Sequence, residues 1–158
     1  MSARPVYVAV VGASAAAHEE ERIAEEVGRL LAEHHAVVVT GGLGGVMAAA
    51  CRGARSAGGT TVGILPGEDR SDVNAWVDVA IPTGLGEARN ALVVRSADAV
   101  IAVGGEFGTL SEIALALKIG RPVAGIGTWT LERNGLTLDP VLRASDAAEA
   151  VELVLRRV

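Results

Sequence analysis

Short apolar segments and amphipathic segments alternate along this chain of 158 residues. The apolar segments are rich in β-branched residues and end at turn residues, which predicts buried strands. They cover residues 6–11, 36–40, 60–65, 99–103 and 122–126, with a weaker candidate at 77–81. Strands that are apolar on both faces belong to parallel sheets with helices packed on each side. The alternation therefore predicts an α/β fold.

Helices are predicted between these strands. The first has four apolar residues at helical spacing behind an acidic turn: Ile23, Val27, Leu30 and Leu31. Others are predicted at 45–57, 85–97 and 110–119, and a last helix starts at Ser145 or Asp146. Right-handed crossovers between parallel strands then give a doubly wound, Rossmann-like sheet in three α/β/α layers. The length is that of one domain over residues 1–158.

Charge and cysteine content narrow the class of function. The formal net charge is −5 and no segment is strongly basic, which argues against binding of nucleic acid. No apolar stretch approaches the ~20 residues of a membrane span, so no membrane partner is expected. The single cysteine, Cys51, excludes an intramolecular disulfide. A reducing compartment suits such a chain, and we expect a cytoplasmic protein.

Glycine-rich segments follow three of the predicted strands, at 12–14, 41–45 and 104–109. Ligands of doubly wound sheets bind beyond the carboxyl ends of the strands, where these segments converge. In the third segment, a strand ends in glycines and leads directly into a helix, which favours binding of an anion by backbone N–H groups. Candidate binding residues are Gly12, Ser14, Gly41, Gly42, Gly45, Gly104, Gly105, Gly108 and Thr109.

The usual motifs of nucleotide enzymes are absent from these segments. No G-x-G-x-x-G follows the first strand, and the second strand does not end in an acidic residue, which argues against an NAD dehydrogenase. No G-x-x-x-x-G-K-[ST] motif occurs, which argues against a P-loop nucleotide hydrolase. His18, His34 and His35 show no metal-ligand spacing with Cys51, so no metal site is predicted.

Arg89 is the first candidate for a chemical role. It lies at helical spacing from Leu85, Leu92 and Val93, on the stripe that its helix is predicted to bury. A buried arginine requires an anionic partner, which could be a ligand or a carboxylate of the protein. A structural salt bridge, or an arginine that extends to solvent, is the alternative to a functional role.

Glu112 also allows two interpretations. Thr109 and Glu112 have the spacing of a capping box, in which the glutamate only accepts a hydrogen bond from the Thr109 backbone. Alternatively, Glu112 is a carboxylate beside the anion site and acts as a general acid or base.

Three motifs occur in the order found in a known family: TGGLGGVM at 40–47, EARN at 87–90 and GEFGTLSE at 105–112. With them, the chain resembles the Lonely Guy (LOG) and molybdenum-cofactor-carrier superfamily from about Val6 to Val123. Segments 86–90 and 111–118 are most similar to the short carrier-like branch. The resemblance implies a Rossmann-like homo-oligomer, a dimer or a tetramer, with a nucleotide or phosphate site at 104–109.

The resemblance also implies roles for individual residues. LOG enzymes use a P-G-G-x-G-T-x-x-E motif and an arginine to cleave the N-glycosidic bond of a nucleoside 5′-monophosphate. Carried over, Arg89 and Glu112 would be catalytic, and Gly105, Gly108 and Thr109 would hold the phosphate. Met47 joins the binding residues through the motif at 40–47. No cofactor would be required, and the ligand would be a nucleoside monophosphate or a molybdopterin-type cofactor.

Three positions depart from the hydrolase pattern: Gly104 replaces its proline, Glu106 its second glycine, and Asn90 its lysine. Glu106 brings a carboxylate to a place where backbone should approach a phosphate. The first hypothesis is therefore a binding protein for a phosphate-bearing purine- or pterin-like ligand. A phosphoribohydrolase is the second hypothesis and a nucleotide sensor the third.

The helix that follows the third glycine segment is apolar on almost every side between Ile113 and Ile119. Such a helix needs cover on all its faces. A subunit interface would provide this cover, and so would the C-terminal segment of the same chain.

Overall fold

Seven strands form one parallel sheet in the computed structural model, which describes residues 4–135 and 139–158. The strands are β1 (Tyr7–Gly12), β2 (Val37–Thr40), β3 (Thr61–Leu65), β4 (Val79–Pro82), β5 (Ala99–Val103), β6 (Val123–Ile126) and β7 (Leu142–Arg143). Their order across the sheet is β4-β3-β2-β1-β5-β6-β7, and every neighbouring pair is parallel. The predicted doubly wound α/β fold is confirmed.

Five α-helices cover the two faces of this sheet. They are α1 (His18–Glu33), α2 (Val46–Ser56), α3 (Asn90–Arg95), α4 (Phe107–Lys118) and α5 (Ala147–Leu155). Alternate side chains of β1 enter opposite cores, because successive residues of a strand point to opposite faces. Val8 and Val10 pack among residues of α1, α2 and α5, whereas Ala9 and Val11 pack among residues of α3 and α4. The result is the predicted three-layer α/β/α arrangement.

Strand β1 is the switch point of the sheet. Strands β2 to β4 lie on one side of it, and β5 to β7 lie on the other. Strand β1 lies between β2 and β5, and Gly12 pairs with Val103 at the carboxyl ends of β1 and β5. The loops that follow these two strands therefore begin side by side. Such a switch point is the usual ligand crevice of doubly wound sheets.

The segment predicted as one helix at 85–97 is divided in the structure. A 3-10 helix covers Gly86–Arg89 and α3 follows from Asn90 to Arg95. Gly86 has a φ of +57°, which is incompatible with α-helix, so the α-helix cannot extend back to Leu85 as predicted. The predicted buried stripe is wrong in part, because Leu85 is 53% exposed and Leu92 is also exposed, while Arg89 and Val93 are buried.

Helix α4 begins at Phe107, three residues before the predicted start at Leu110. Gly104 and Gly105 both have positive φ angles, and Glu106 is extended with φ −105°. The glycines complete the turn out of β5, so the helix can start immediately after Glu106. The short strand β7 was not predicted, because two residues give too little pattern to detect.

Two glycines allow α1 and α2 to pack in direct backbone contact. A Cβ atom on Gly28 would overlap the carbonyl oxygen of Ala50, and one on Gly53 would overlap that of Glu25. The facing positions of α2 are mostly alanine, with Ala49, Ala50 and Ala54 fully buried. Small residues on both helices therefore set their separation.

We expect Gly28→Ala and Gly53→Ala each to lower the free energy of unfolding by about 1–3 kcal/mol, because overpacking would force the helices apart. Alanine in an open helical position would have the opposite effect, through its better helix propensity. Urea denaturation checks the sign. Gly67→Ala is the control, since a Cβ there lies 3.9 Å from its nearest neighbour, the carbonyl oxygen of Asp69. Unchanged stability in both helix variants would contradict the close-packing account.

Candidate functional site

A cleft of about 410 Å³ opens at the carboxyl ends of the strands. Its wall combines the loops after β1, β2, β3 and β5 with the 3-10 helix and the first turns of α2 and α4. The residues are Gly12, Ala13, Ser14, Ala15, Leu43, Met47, Pro66, Gly86, Glu87, Arg89, Asn90, Glu106, Gly108, Thr109 and Glu112. This volume lies in the range of about 300–1,000 Å³ that small-molecule sites occupy.

Seven of the residues predicted from the sequence lie in this wall: Gly12, Ser14, Met47, Arg89, Gly108, Thr109 and Glu112. The other five, Gly41, Gly42, Gly45, Gly104 and Gly105, do not line the cleft. The structure thus brings the three predicted segments together, and the five remaining glycines belong to these segments without lining the cleft.

The glycines that do not line the cleft permit close approach of other groups. A Cβ atom on Gly41 would lie 2.7 Å from a terminal nitrogen of Arg89. Gly45, with φ +59°, precedes α2 and would overlap the carbonyl oxygen of Ala13 if it carried a Cβ atom. Substitution at either position would therefore move a part of the cleft wall.

The N-terminus of α4 presents unpaired backbone donors at the cleft. Five successive N–H groups, from Gly105 to Thr109, donate to none of the described residues, and the first paired group is that of Leu110, which donates to the Glu106 carbonyl at 3.0 Å. Such groups at the positive end of a helix dipole bind anions. Gly108 and Thr109 of this turn line the cleft.

Two residues that follow β6 hold this turn in place. The Thr128 hydroxyl donates to the Gly104 carbonyl at 2.5 Å, and the Trp129 indole N–H donates to the Glu106 carbonyl at 3.2 Å. The rings of Trp129 and Phe107 also lie 5.4 Å apart between centroids. These contacts fix the turn before any ligand arrives.

Arg89 lies between the second glycine segment and α4, with only 8% of its surface exposed. Its Nε donates to the Ile64 carbonyl at 2.9 Å, one terminal nitrogen donates to Asn90 Oδ1, and the other lies 3.5 Å from the Gly41 carbonyl oxygen. All three acceptors are uncharged. Burial lowers the pKa of Arg89, and the nearby Glu112 and Glu87 oppose this shift.

Glu112 projects from the second turn of α4 and is 7% exposed. Within the described residues, its carboxyl group has no hydrogen-bond partner. Burial raises the pKa of Glu112 to about 8, and the charge of Arg89 partly offsets that rise. The capping-box interpretation is wrong, because Glu106 is the N-cap and Thr109 is already the third residue of the helix.

The cleft contains more acidic than basic side chains. Arg89 faces it together with Glu87, Glu106 and Glu112. Glu106 is exposed at the cleft wall, so the carboxylate that departs from the family motif stays at the site. The free N–H groups at the start of α4 and the Arg89 guanidinium are therefore the groups in the cleft wall that we expect to attract an anion.

Sequence reasoning did not include Glu87, Asn90 and Glu106 among the binding residues. The signal was present, because all three lie inside the recognised motifs at 87–90 and 105–112. Leu43 and Pro66 carry no chemical signal of their own, and only the convergence of their loops places them in the wall.

Comparison with known proteins identifies the family of this chain. A sequence model of the SLOG cluster4 family matches residues 5–151. The chain belongs to the SLOG cluster4 family. The resemblance to the LOG and molybdenum-cofactor-carrier superfamily is thereby confirmed, since proteins of that group are also its structural neighbours.

Two solved structures and one curated relative illustrate the family. The molybdenum cofactor binding protein of Rippkaea orientalis is 38% identical, with 98% of each chain covered and a TM-score of 0.89. The molybdenum cofactor carrier protein of Chlamydomonas reinhardtii is 36% identical, with 97% of this chain and 98% of that one covered and a TM-score of 0.83. An uncharacterized protein of Archaeoglobus fulgidus is 49% identical over 119 residues, 75% of this chain and 78% of the relative.

None of the helices in residues 4–135 and 139–158 has the length and apolarity that a membrane span requires.

Glu112→Gln is expected to change the pH dependence of stability. The folded-state pKa of about 8 lies above the model-peptide value of 4.5, so the folded protein holds its proton more tightly. The free energy of unfolding of the wild type therefore falls as the pH rises from about 4.5 to about 8, and it levels off above that. Glutamine stays neutral, so its advantage over glutamate should grow by roughly 3–5 kcal/mol across this range.

Urea denaturation of both proteins between pH 5 and pH 9 provides the measurement. A difference in stability that does not depend on pH would contradict the raised pKa of Glu112.

Proposed function

We propose that this protein binds a phosphate-bearing purine- or pterin-like ligand in the cleft and acts as a binding or carrier protein. The observation that carries the proposal is that five free N–H groups, from Gly105 to Thr109 at the start of α4, lie near an Arg89 guanidinium with only neutral hydrogen-bond partners. The names of the related structures, a molybdenum cofactor binding protein and a molybdenum cofactor carrier protein, support a molybdopterin-type ligand. We further propose that the protein acts in the cytoplasm.

The ligand's phosphate would lie against the first turn of α4, where Gly108 and Thr109 line the cleft. Arg89 would add its charge from the opposite wall. The ring system would extend past Met47 and Leu43, the apolar side chains of the second loop. Glu106 weakens binding of a dianionic phosphate by charge repulsion, which favours a ligand with several other contacts over free phosphate.

A phosphoribohydrolase is the second candidate function, and the unpartnered carboxyl group of Glu112 is the observation that favours it. With a pKa of about 8, this group is protonated at pH 7 and would supply a proton to a departing base as a general acid. Arg89 would stabilise the ribose phosphate. A carrier needs no such acid, so turnover separates the two functions.

Isothermal titration calorimetry with GMP and AMP tests the binding proposal. We expect both nucleotides to bind the wild type and Arg89→Met to weaken binding at least about tenfold, because the charge-assisted contact is lost. Arg95→Met is the matched control, since Arg95 is exposed on the neighbouring helix α3. Binding that is lost equally in both variants, or absent in the wild type, would contradict the proposal.

Free base and ribose 5-phosphate should be sought in the same samples. Turnover that disappears in Glu112→Gln would make the hydrolase the better description. Mass spectrometry of any ligand that co-purifies with the protein would identify its chemical class directly.

We also propose that the protein is a homo-oligomer that uses the faces of α3 and α4. An apolar groove between these helices is lined by Ala91, Phe107 and Leu115, and Phe107 is 75% exposed. Glu87, Asn90 and Gly108 border both this groove and the ligand cleft. A second copy on the groove would therefore lie next to the bound ligand.

Phe107→Glu is expected to reduce the mass measured by light scattering to that of a monomer, because the charge would be buried at the interface. The control is Val79→Glu at the edge strand β4, where the side chain is 49% exposed. We expect this control to keep the wild-type mass. A wild-type protein that is already monomeric at high concentration would contradict the interface.

A further inference from the structure

Asn90 occupies the position between the Arg89 guanidinium and the first turn of α4. It is buried, and both ends of its side-chain amide are used. Its Oδ1 accepts from Arg89, and its Nδ2 donates to the Ser111 hydroxyl at 3.2 Å. The Ser111 hydroxyl in turn donates to the Gly108 carbonyl at 2.6 Å. A continuous chain of hydrogen bonds thus joins the guanidinium to the turn whose N–H groups are free.

The amide satisfies Arg89 without cancelling its charge. The other acceptors around the guanidinium are the backbone carbonyls of Ile64 and Gly41, which are also neutral. No carboxylate of the described residues forms a salt bridge with Arg89. A buried cation without a counter-ion is costly in free energy, so an anion that entered the cleft would be stabilised by pairing with Arg89.

Few side chains could fill this position in the same way. An amide both accepts from an arginine and donates to a hydroxyl, whereas a carboxylate only accepts and a lysine only donates. Aspartate of the same shape would pair with Arg89 and neutralise it. Lysine, the residue of the hydrolase motif at this place, would repel it.

We propose that Asn90 is a specificity-determining residue that reserves the Arg89 charge for an anionic ligand. This inference rests on the proposed function, because it requires that an anion bind beside Arg89. Asn90 is a positioning residue in this scheme: it holds the guanidinium in place and leaves the contact with the ligand to Arg89 and α4.

A purely structural role for Asn90 predicts a different result. If the amide served only to satisfy a buried arginine whose charge does not attract the ligand, aspartate would satisfy the arginine as well and ligand binding would not change. If Asn90 served only to fill space, any loss would affect charged and uncharged ligands alike. Stability and charge-selective binding therefore separate the explanations.

The test compares wild type and Asn90→Asp by calorimetry with GMP and with guanosine, its uncharged counterpart. We expect Asn90→Asp to weaken GMP binding at least about tenfold, which corresponds to about 1.4 kcal/mol, because the new carboxylate competes with the phosphate for Arg89. Guanosine affinity should stay within about twofold of the wild-type value, well below that tenfold change. The free energy of unfolding should stay the same or rise, since the buried guanidinium gains a counter-ion.

Two controls sharpen the comparison. Asn134→Asp makes the same chemical change at an exposed position and should leave GMP binding unaltered. In an Arg89→Met background, Asn90→Asp should weaken GMP binding by a smaller factor than in the wild type, because only direct repulsion of the phosphate remains.

The outcomes distinguish this assignment from the proposed function. Wild-type GMP affinity in Asn90→Asp, or equal loss of both probes together with lower stability, would overturn the role of Asn90 and leave the proposed function standing. A wild-type protein that binds neither GMP nor AMP would overturn the proposed function, and the role of Asn90 with it.

Discussion

The guanidinium of Arg89 is the interaction on which the candidate site depends. It joins the end of β3 through the Ile64 carbonyl, approaches the second glycine segment at Gly41, and reaches α4 through Asn90 and Ser111. Because each acceptor is neutral, the structure holds the side chain firmly without cancelling its charge. A rigid cation of this kind is prepared for an anion before the anion arrives, which lowers the entropic cost of binding.

The sheet topology supplies the setting for this arginine. The switch in strand order at β1 places the loops after β1 and β5 side by side, and the parallel direction of all seven strands brings the loops after β2 and β3 to the same edge. Glycines and alanines then bring backbones close together, as between α1 and α2 at Gly28 and Gly53. The cleft is a consequence of this packing and needs no long insertion.

The ionisation of Glu112 in the cleft is controlled mainly by burial. Glu112 lies near Arg89 but shares no hydrogen bond with it, and burial raises the pKa of that carboxyl group to about 8. Near neutral pH the group is therefore mostly uncharged and does not compete with a ligand for the arginine. Glu106 remains exposed at the wall, so the cleft keeps one carboxylate in contact with solvent.

The sequence alone determined six of the seven strands in the described residues, the doubly wound fold and the three converging loops, because apolar runs and glycine positions are local signals. The sequence also predicted that Arg89 is buried, but it placed Arg89 on a buried stripe with Leu85 and Leu92, which are exposed in the structure. Only the tertiary structure decided that α4 begins at Phe107, which removes the cap interpretation of Glu112 and frees five N–H groups. It alone also showed that Asn90 joins Arg89 to α4, since that contact links elements whose relative position no local pattern encodes.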